Sequence, residues 1–227
     1  MKKNSIYSPV IILSEPQLEE NIGAVARAML NFNIHNLRII KKKKWTPSLI
    51  SLKNCKTFSS LEDAIDDLHY VFATSNRKRD LNINVVNLKD GIKLINKYYK
   101  FKVGILFGPE RSGLTNNDVS LCDKIIEIPL NKNFNSLNLA QSVLLVVYEL
   151  FNSSPLKKKI ININKSNKKE LIIFFKIFQN YLNKSNFFKV NEKKETMMRN
   201  IKTIFNRADL TTKEIKILHG VIKSLSK

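Results

Sequence analysis

Five short apolar runs constrain the fold of this chain more than anything else in it. They are Val10–Leu13, Leu37–Ile40, Tyr70–Ala73, Val103–Phe107 and Ile125–Ile128. A run of that length with no polar alternation suits a strand buried on both faces. Between the runs, Asn21–Phe32, Leu61–Leu68 and Gly91–Tyr99 read as helices. Strands alternating with helices predict an α/β fold, a parallel sheet covered on both faces. After the last run, Leu139, Val143, Val146, Val147 and Leu150 sit at helical spacing within Leu137–Phe151. The stretch from Asn152 to Asn167 is rich in Asn, Ser and Lys and contains Pro155. It divides the chain into an α/β domain over 1–155, a linker over 156–166 and a small helical domain over 167–227. The helices expected in the last part are Lys168–Leu182, Glu195–Asn206 and Thr211–Leu225, and Thr211-Thr-Lys-Glu214 reads as a capping box.

Charge narrows the partner. Lys and Arg number 39 against 19 acidic residues, a net of +20. So large an excess favours a polyanion, usually nucleic acid. Residues 156–227 hold 18 basic and 5 acidic residues, a net of +13, so the helical tail carries most of the excess. The alternative is a solvated Lys-rich surface, and the heavy use of Lys, Asn and Ile points to a compositional bias behind part of the charge. No apolar run is long enough to span a bilayer. The basic N-terminus lacks the apolar core and cleavage site of a signal peptide, and a cytoplasmic protein is expected. Cys55 and Cys122 form neither a metal pattern nor a disulfide framework and are expected to be buried thiols. His35, His69 and His219 are scattered, and no metal site is expected.

Three stretches put small or polar residues where a strand or loop meets a helix, which is where α/β proteins build ligand sites. In Asn21-Ile-Gly-Ala-Val-Ala-Arg27, Gly23 permits close backbone approach, and Asn21 either caps the helix or points into a site. Ala24, Ala26 and Ala28 keep that helix slim for packing on a sheet or a second subunit. Arg27 carries a fixed positive charge in an apolar setting and needs a carboxylate, a phosphate or a ligand. In Phe107-Gly-Pro-Glu-Arg-Ser-Gly113, Gly108 lets backbone approach a ligand at a strand end, while Glu110 and Arg111 either serve a site or pair to stiffen the turn. The stretch lacks both the Gly-Lys-Ser/Thr ending of a nucleotide P-loop and the dinucleotide fingerprint. In Asn135-Ser-Leu-Asn-Leu-Ala140, Ser136 and Asn138 either cap the following helix or join Asn131, Asn133 and Asn135 in a polar cluster facing a ligand.

These three stretches, in this order, resemble the motifs of the SpoU branch of the SPOUT RNA 2′-O-methyltransferases. Ala73-Thr-Ser-Asn-Arg-Lys-Arg-Asp80 and Glu214-Ile-Lys-Ile-Leu-His-Gly220 resemble the TrmJ type within that branch, which methylates the ribose of the first nucleotide in the tRNA anticodon loop. The resemblance covers nearly the whole chain. It implies a Rossmann-like parallel sheet with a C-terminal trefoil knot, S-adenosylmethionine as cofactor, and a homodimer acting on RNA, tRNA rather than rRNA, with neither DNA nor a membrane as partner. It places Thr74, Ser75, Asn76, Gly108, Ile128, Asn135, Ser136 and Leu137 at cofactor-binding positions, with Ile128 and Leu137 against the adenine. It assigns the chemistry to Arg27, with Asn21, Ser136 and Asn138 orienting the ribose and the Arg27 fork, and Glu110 bonding to Arg27 or to substrate. The chain departs from the pattern at Pro109, Asn135 and Asn76.

Further RNA contacts are expected at Arg77, Lys78 and Arg79, beside the expected pocket. Lys41, Lys42, Lys43 and Lys44 with Trp45 either grip phosphates and stack a base or form a solvated loop.

Overall fold

The computed structural model describes residues 8–41, 54–79, 81–98, 100–133, 136–153 and 165–225. Seven strands form one sheet: β1 (Val10–Ser14), β2 (Asn36–Ile40), β3 (Asn54–Phe58), β4 (Tyr70–Thr74), β5 (Val85–Asn87), β6 (Val103–Phe107) and β7 (Lys124–Glu127). Their order is β3-β2-β1-β6-β4-β7-β5, and every pairing is parallel. The five apolar runs are the five inner strands, each hydrogen-bonded on two sides and buried on both faces. β1 shows why such runs do not alternate. Ile11 and Leu13 enter one core, and Val10 and Ile12 enter the other.

Helices α1 (Glu19–Asn31), α3 (Leu88–Lys97) and α5 (Leu139–Asn152) supply Ile22, Val25, Met29, Ile92, Ile95, Val143, Val146 and Val147 to the first core. The opposite face is covered by α2 (Leu61–Ile65) and α4 (Asn116–Ser120), through Leu61, Ala64, Ile65 and Val119. Arg38 on β2 donates to both carboxylate oxygens of Asp67, at 2.6 and 3.1 Å, and to Ala64 O, tying the sheet to α2. Partial burial pushes the Asp67 carboxyl up, but Arg38 and Lys102 outweigh it and hold it at about 2.

Two edge strands and one short helix, β3, β5 and α4, have no counterpart among the expected elements. An edge strand pairs on one side only and needs little apolar surface, so Asn54-Cys-Lys-Thr-Phe58 reads as polar sequence. Cys55 lies on it and is half-buried, not the buried thiol expected; Cys122 is buried. The expected helix at Asn21 begins two residues earlier. Leu18 is its N-cap and makes no side-chain cap, so Asn21 lies inside the first turn.

The tail folds as α6 (Lys168–Lys184), α7 (Asn191–Arg207) and α8 (Thr212–Leu225). Leu171, Phe174, Phe175 and Ile215 form its own small core. The capping box is present: Thr211 Oγ1 accepts from Glu214 N at 3.2 Å, and Glu214 Oε2 accepts from Thr211 N at 2.8 Å. Most of the expected linker, 156–164, lies outside the described residues, but its end is firmly anchored. Lys165 and Ser166 are buried. Lys165 Nζ meets Asp123 at 3.0 Å and Asp209 at 2.6 Å, and Lys168 Nζ meets Asp123 at 2.9 Å and Asn206 at 2.8 Å. Asp123 immediately precedes β7, so the tail is bolted to the sheet beside the strand that leads into the site.

Candidate active site

The central crossover builds the site. The chain leaves β4, runs to the far edge at β5, returns to β6, then crosses β4 again to lay β7 between β4 and β5. The carboxyl ends of three neighbouring strands, β6, β4 and β7, therefore open at one place. There a cavity of about 890 Å³ is lined by Thr74–Lys78 after β4, Phe107–Leu114 from the end of β6 onward, Ile128 and Leu130 after β7, and Ser136, Leu137, Leu139 and Ser142 leading into α5. A parallel sheet places its ligand crevice outside such carboxyl ends.

One hydrogen-bonded chain joins the three sequence stretches. Glu110 Oε2 accepts from Gln17 N at 2.9 Å, and Oε1 accepts from Asn21 Nδ2 at 2.7 Å. Asn21 Oδ1 accepts from Asn138 Nδ2 at 3.0 Å. Asn138 Oδ1 accepts from Ala140 N at 2.8 Å and caps α5. The carboxylate only accepts, so it fixes the Asn21 amide, which in turn fixes the Asn138 amide. Burial works to raise the Glu110 carboxyl, but the donors from Asn21 and Gln17 outweigh it and hold it below the usual range. Asn138 is thus the cap of α5, and its remaining amide group bonds Asn21 rather than Asn131 or Asn133.

Several expected placements change. Glu110 spends its oxygens on Asn21 and Gln17 and pairs with neither Arg27 nor Arg111. Asn21 and Asn138 orient each other and do not line the cavity. Arg27 is exposed on α1, outside the cavity lining, with no hydrogen bond or ion pair among the described residues. Open space surrounds Gly23, with nothing within 4 Å of an added Cβ, so no close approach to it occurs within one protomer. Ala26 and Ala28 are buried, while Ala24 is exposed.

Gly108 owes its identity to its own loop. A Cβ there would collide with Leu114 N and Gly113 C, and Gly113 itself has φ +62°. Gly108→Ala is therefore expected to push the 109–114 wall outward and weaken binding in the cavity about tenfold or more, read by calorimetry against an unchanged far-UV spectrum.

The other expected cofactor positions lie as follows. Thr74 Oγ1 donates to Leu106 O at 3.0 Å, Ser75 N donates to Ile126 O at 3.2 Å, and Asn76 Oδ1 accepts from Ile128 N at 3.2 Å. These bonds knit the loop after β4 to both neighbouring strands. Ile128 is buried, Leu137 is half-buried and Ser136 is exposed, all on the cavity wall. Arg77 and Lys78 line the cavity and are exposed, while Arg79 is turned inward. Lys41 follows β2 and does not line the cavity. Lys42, Lys43, Lys44, Trp45 and Asn135 lie outside the described residues. A second cavity of about 580 Å³ separates α4 from α7; Lys194, Arg199 and Lys202 face Glu62, Asp118 and Glu195 there, so it favours neither sign of ligand.

Residues 8–148 match the SpoU rRNA methylase family, and residues 169–227 match the C-terminal domain of the tRNA methyltransferase TrmJ. The chain is 30% identical to the tRNA (cytidine-2′-O-)-methyltransferase TrmJ of Methanocaldococcus jannaschii, over 94% of this chain and 97% of that one. It is also 30% identical to an uncharacterized tRNA/rRNA methyltransferase of Haemophilus influenzae, over 96% and 94% of the two chains. The crystal structure of TrmJ from Z. mobilis ZM4 superposes with a TM-score of 0.88 at 35% identity, covering 97% of this chain and 100% of that chain. This chain belongs to the SpoU RNA methylase family, and its fold is that of the SPOUT methyltransferases. It is a methyltransferase whose cofactor is S-adenosylmethionine.

The cavity fits that cofactor. Ile128, Leu130, Leu137 and Leu139 offer apolar walls for a purine, backbone around Gly108 offers polar groups, and Arg77, Lys78 and Arg111 offer cations for a carboxylate. Its volume falls within the usual range for ligand pockets, about 300–1,000 Å³.

Proposed function

We propose that this protein methylates the ribose 2′-hydroxyl of tRNA, at position 32 of the anticodon loop, as a homodimer. The observation that carries the reading is the Glu110–Asn21–Asn138 chain, which draws the three stretches to one cavity at the ends of β6, β4 and β7. The match of the helical tail to the TrmJ C-terminal domain supports tRNA as the substrate. The insertion of β7 between β4 and β5 supports the trefoil knot.

S-adenosylmethionine supplies an electrophilic methyl group on a sulfonium. Ile128 and Leu137 would pack on its adenine, with Thr74, Ser75, Asn76, Gly108, Asn135 and Ser136 around the rest. The ribose 2′-oxygen would take that methyl group, the thioether product would be the neutral leaving group, and the hydroxyl proton would pass to solvent. A hydroxyl is a weak nucleophile until that proton departs. Arg27 would stabilise the developing alkoxide, or clamp the adjoining phosphate, through its fixed charge and planar fork. The Glu110–Asn21–Asn138 chain holds α1, the carrier of Arg27, against the cavity wall.

Arg27 does not line the cavity of its own protomer, and its surroundings support a second copy. On α1 and α5, Leu30, Leu144, Leu145, Tyr148 (51% exposed) and Phe151 (62% exposed) form an apolar face beside it. Phe32 packs edge-on to Tyr148, with ring centroids 5.8 Å apart. A second copy seated there would bring Arg27 toward the partner's cavity. Tyr148→Asp is expected to convert the protein to a monomer in light scattering and to abolish methyl transfer; an active, monomeric wild type would refute the dimer.

Transfer of labelled methyl groups from S-adenosylmethionine to tRNA lacking the modification, compared with rRNA under one condition, tests the substrate. Mass-spectrometric mapping of the product identifies the nucleotide. Incorporation into rRNA alone would favour the ribosomal reading. An absence of cofactor binding in calorimetry would favour a non-catalytic RNA-binding protein.

A further inference from the structure

The loop after β4 and the loop after β6 form two walls of the cavity, and Arg79 joins them. Its Nη2 donates to Leu114 O at 2.7 Å and to Ser75 Oγ at 3.3 Å, and its Nη1 donates to Asn116 Oδ1 at 2.7 Å. Its Nε is buried without a partner, and among the described residues no carboxylate lies within ion-pair distance. Burial and the neighbouring Arg77 both disfavour its charge. Arg77, two residues earlier, shows the contrast. It is exposed and, among the described residues, its side chain makes one bond, to Ser112 O at 3.0 Å. Arg79 spends three donor contacts on neutral acceptors, two of them across the cavity wall, at Leu114 in the loop after β6 and at Asn116, the first residue of α4. A planar fork can bridge three points at fixed spacing, which an ammonium cannot do.

We propose that Arg79 is a positioning residue that sets the width of the methyl-donor cavity by clamping the loop after β6 to the loop after β4, and that it makes no contact with RNA. The proposal rests on the reading of that cavity as the S-adenosylmethionine site. It also separates two residues that look alike in the sequence, assigning Arg77 to the surface and Arg79 to the scaffold.

The test compares the wild-type protein with Arg79→Ala, Arg79→Lys and Asn116→Ala. The donor Kd is measured by calorimetry, the RNA Kd by fluorescence anisotropy, and kcat and KM by methyl transfer. Both Arg79 variants are expected to raise the donor Kd and KM by about 10- to 100-fold, through a displaced wall. The RNA Kd stays within about twofold of wild type, since the half-buried Arg79 has its fork engaged by Leu114, Ser75 and Asn116. Asn116→Ala keeps the cation and removes one acceptor, and is expected to raise the donor Kd by about 3- to 10-fold. It carries the test alone if the Arg79 variants fail to fold. A weakened RNA Kd with donor affinity intact would overturn the proposal, as would a fall in kcat with the donor KM unchanged. A wild-type chain that binds no S-adenosylmethionine would overturn both the cavity reading and this proposal, and that measurement precedes the variants.

Discussion

Asp123→Ala is expected to lower stability by about 3–5 kcal/mol, the usual cost of removing one partner from a buried charge cluster. Asp123 is 4% exposed, Lys165 3% and Lys168 1%, and the two ammonium groups approach the carboxylate at 3.0 and 2.9 Å. Its removal leaves Lys168 with only the neutral Asn206 amide, and Lys165 with Asp209 at the rim. The carboxylate also accepts from Val71 N at 2.7 Å, so a buried donor on β4 loses its partner as well. For a chain of this size the melting temperature should fall by roughly 10 °C. Calorimetric melting measures it, and a change below about 1 kcal/mol would refute the cluster as the bolt between tail and sheet. A companion variant, in which Asp123, Lys165 and Lys168 all become apolar residues of similar size, should recover much of the loss, because three desolvation costs vanish together. The acid limb gives an independent check. Burial alone would raise the Asp123 carboxyl, but Lys168 and Lys165 outweigh it and hold it below the usual range. Its contribution is therefore complete above the ordinary carboxylate range and is lost as pH falls through the depressed folded value. The variant should show a weaker loss of stability on acidification than the wild type.

Arg27→Ala is expected to lower kcat by about 10²–10³-fold, the range found when one stabilising donor is removed from a developing oxyanion. The donor Kd should remain unchanged, because the role proposed for Arg27 is on the ribose oxygen or its phosphate and not on the methyl donor. Stability should also remain unchanged, because Arg27 is exposed and unbonded among the described residues. Arg27 combines an apolar neighbourhood, the absence of a partner among the described residues and a place on the helix that Glu110 and Asn138 lock to the cavity wall. Single-turnover methyl transfer measures the effect. Full activity of the variant would remove Arg27 from the mechanism. Arg27→Lys separates the two roles left to this residue: a point charge retains part of an electrostatic effect and loses bidentate grip on a phosphate.

The inner strands were legible because burial on both faces leaves an apolar run that polar sequence cannot imitate. β3 and β5 were not, since each pairs on one side only and Asn54–Phe58 can afford a polar composition. The three functional stretches were legible in their residue types and order, and the fold brings them together. Their internal wiring was not. Glu110 invites pairing with the adjacent Arg111 or with Arg27, yet it bonds an amide 89 positions away. Lys165 and Lys168 looked like members of a lysine-rich linker and helix start. Nothing in local sequence separates a solvated lysine from one that meets a carboxylate 42 positions earlier. Arg79 was likewise indistinguishable from Arg77.

By itself the sequence determined the five inner strands, the tail of three helices and the stretches that gather at the cavity, whose motifs carry the family resemblance. Those follow from local periodicity and from residue types at fixed spacing. Only the tertiary structure decided which polar groups face one another: Glu110 with Asn21, Asp123 with Lys165 and Lys168, Arg79 with the far loop, and Arg27 with solvent. Hydrogen bonds and ion pairs act over about 3 Å, and the chain order leaves such separations undefined until β7 has been laid between β4 and β5.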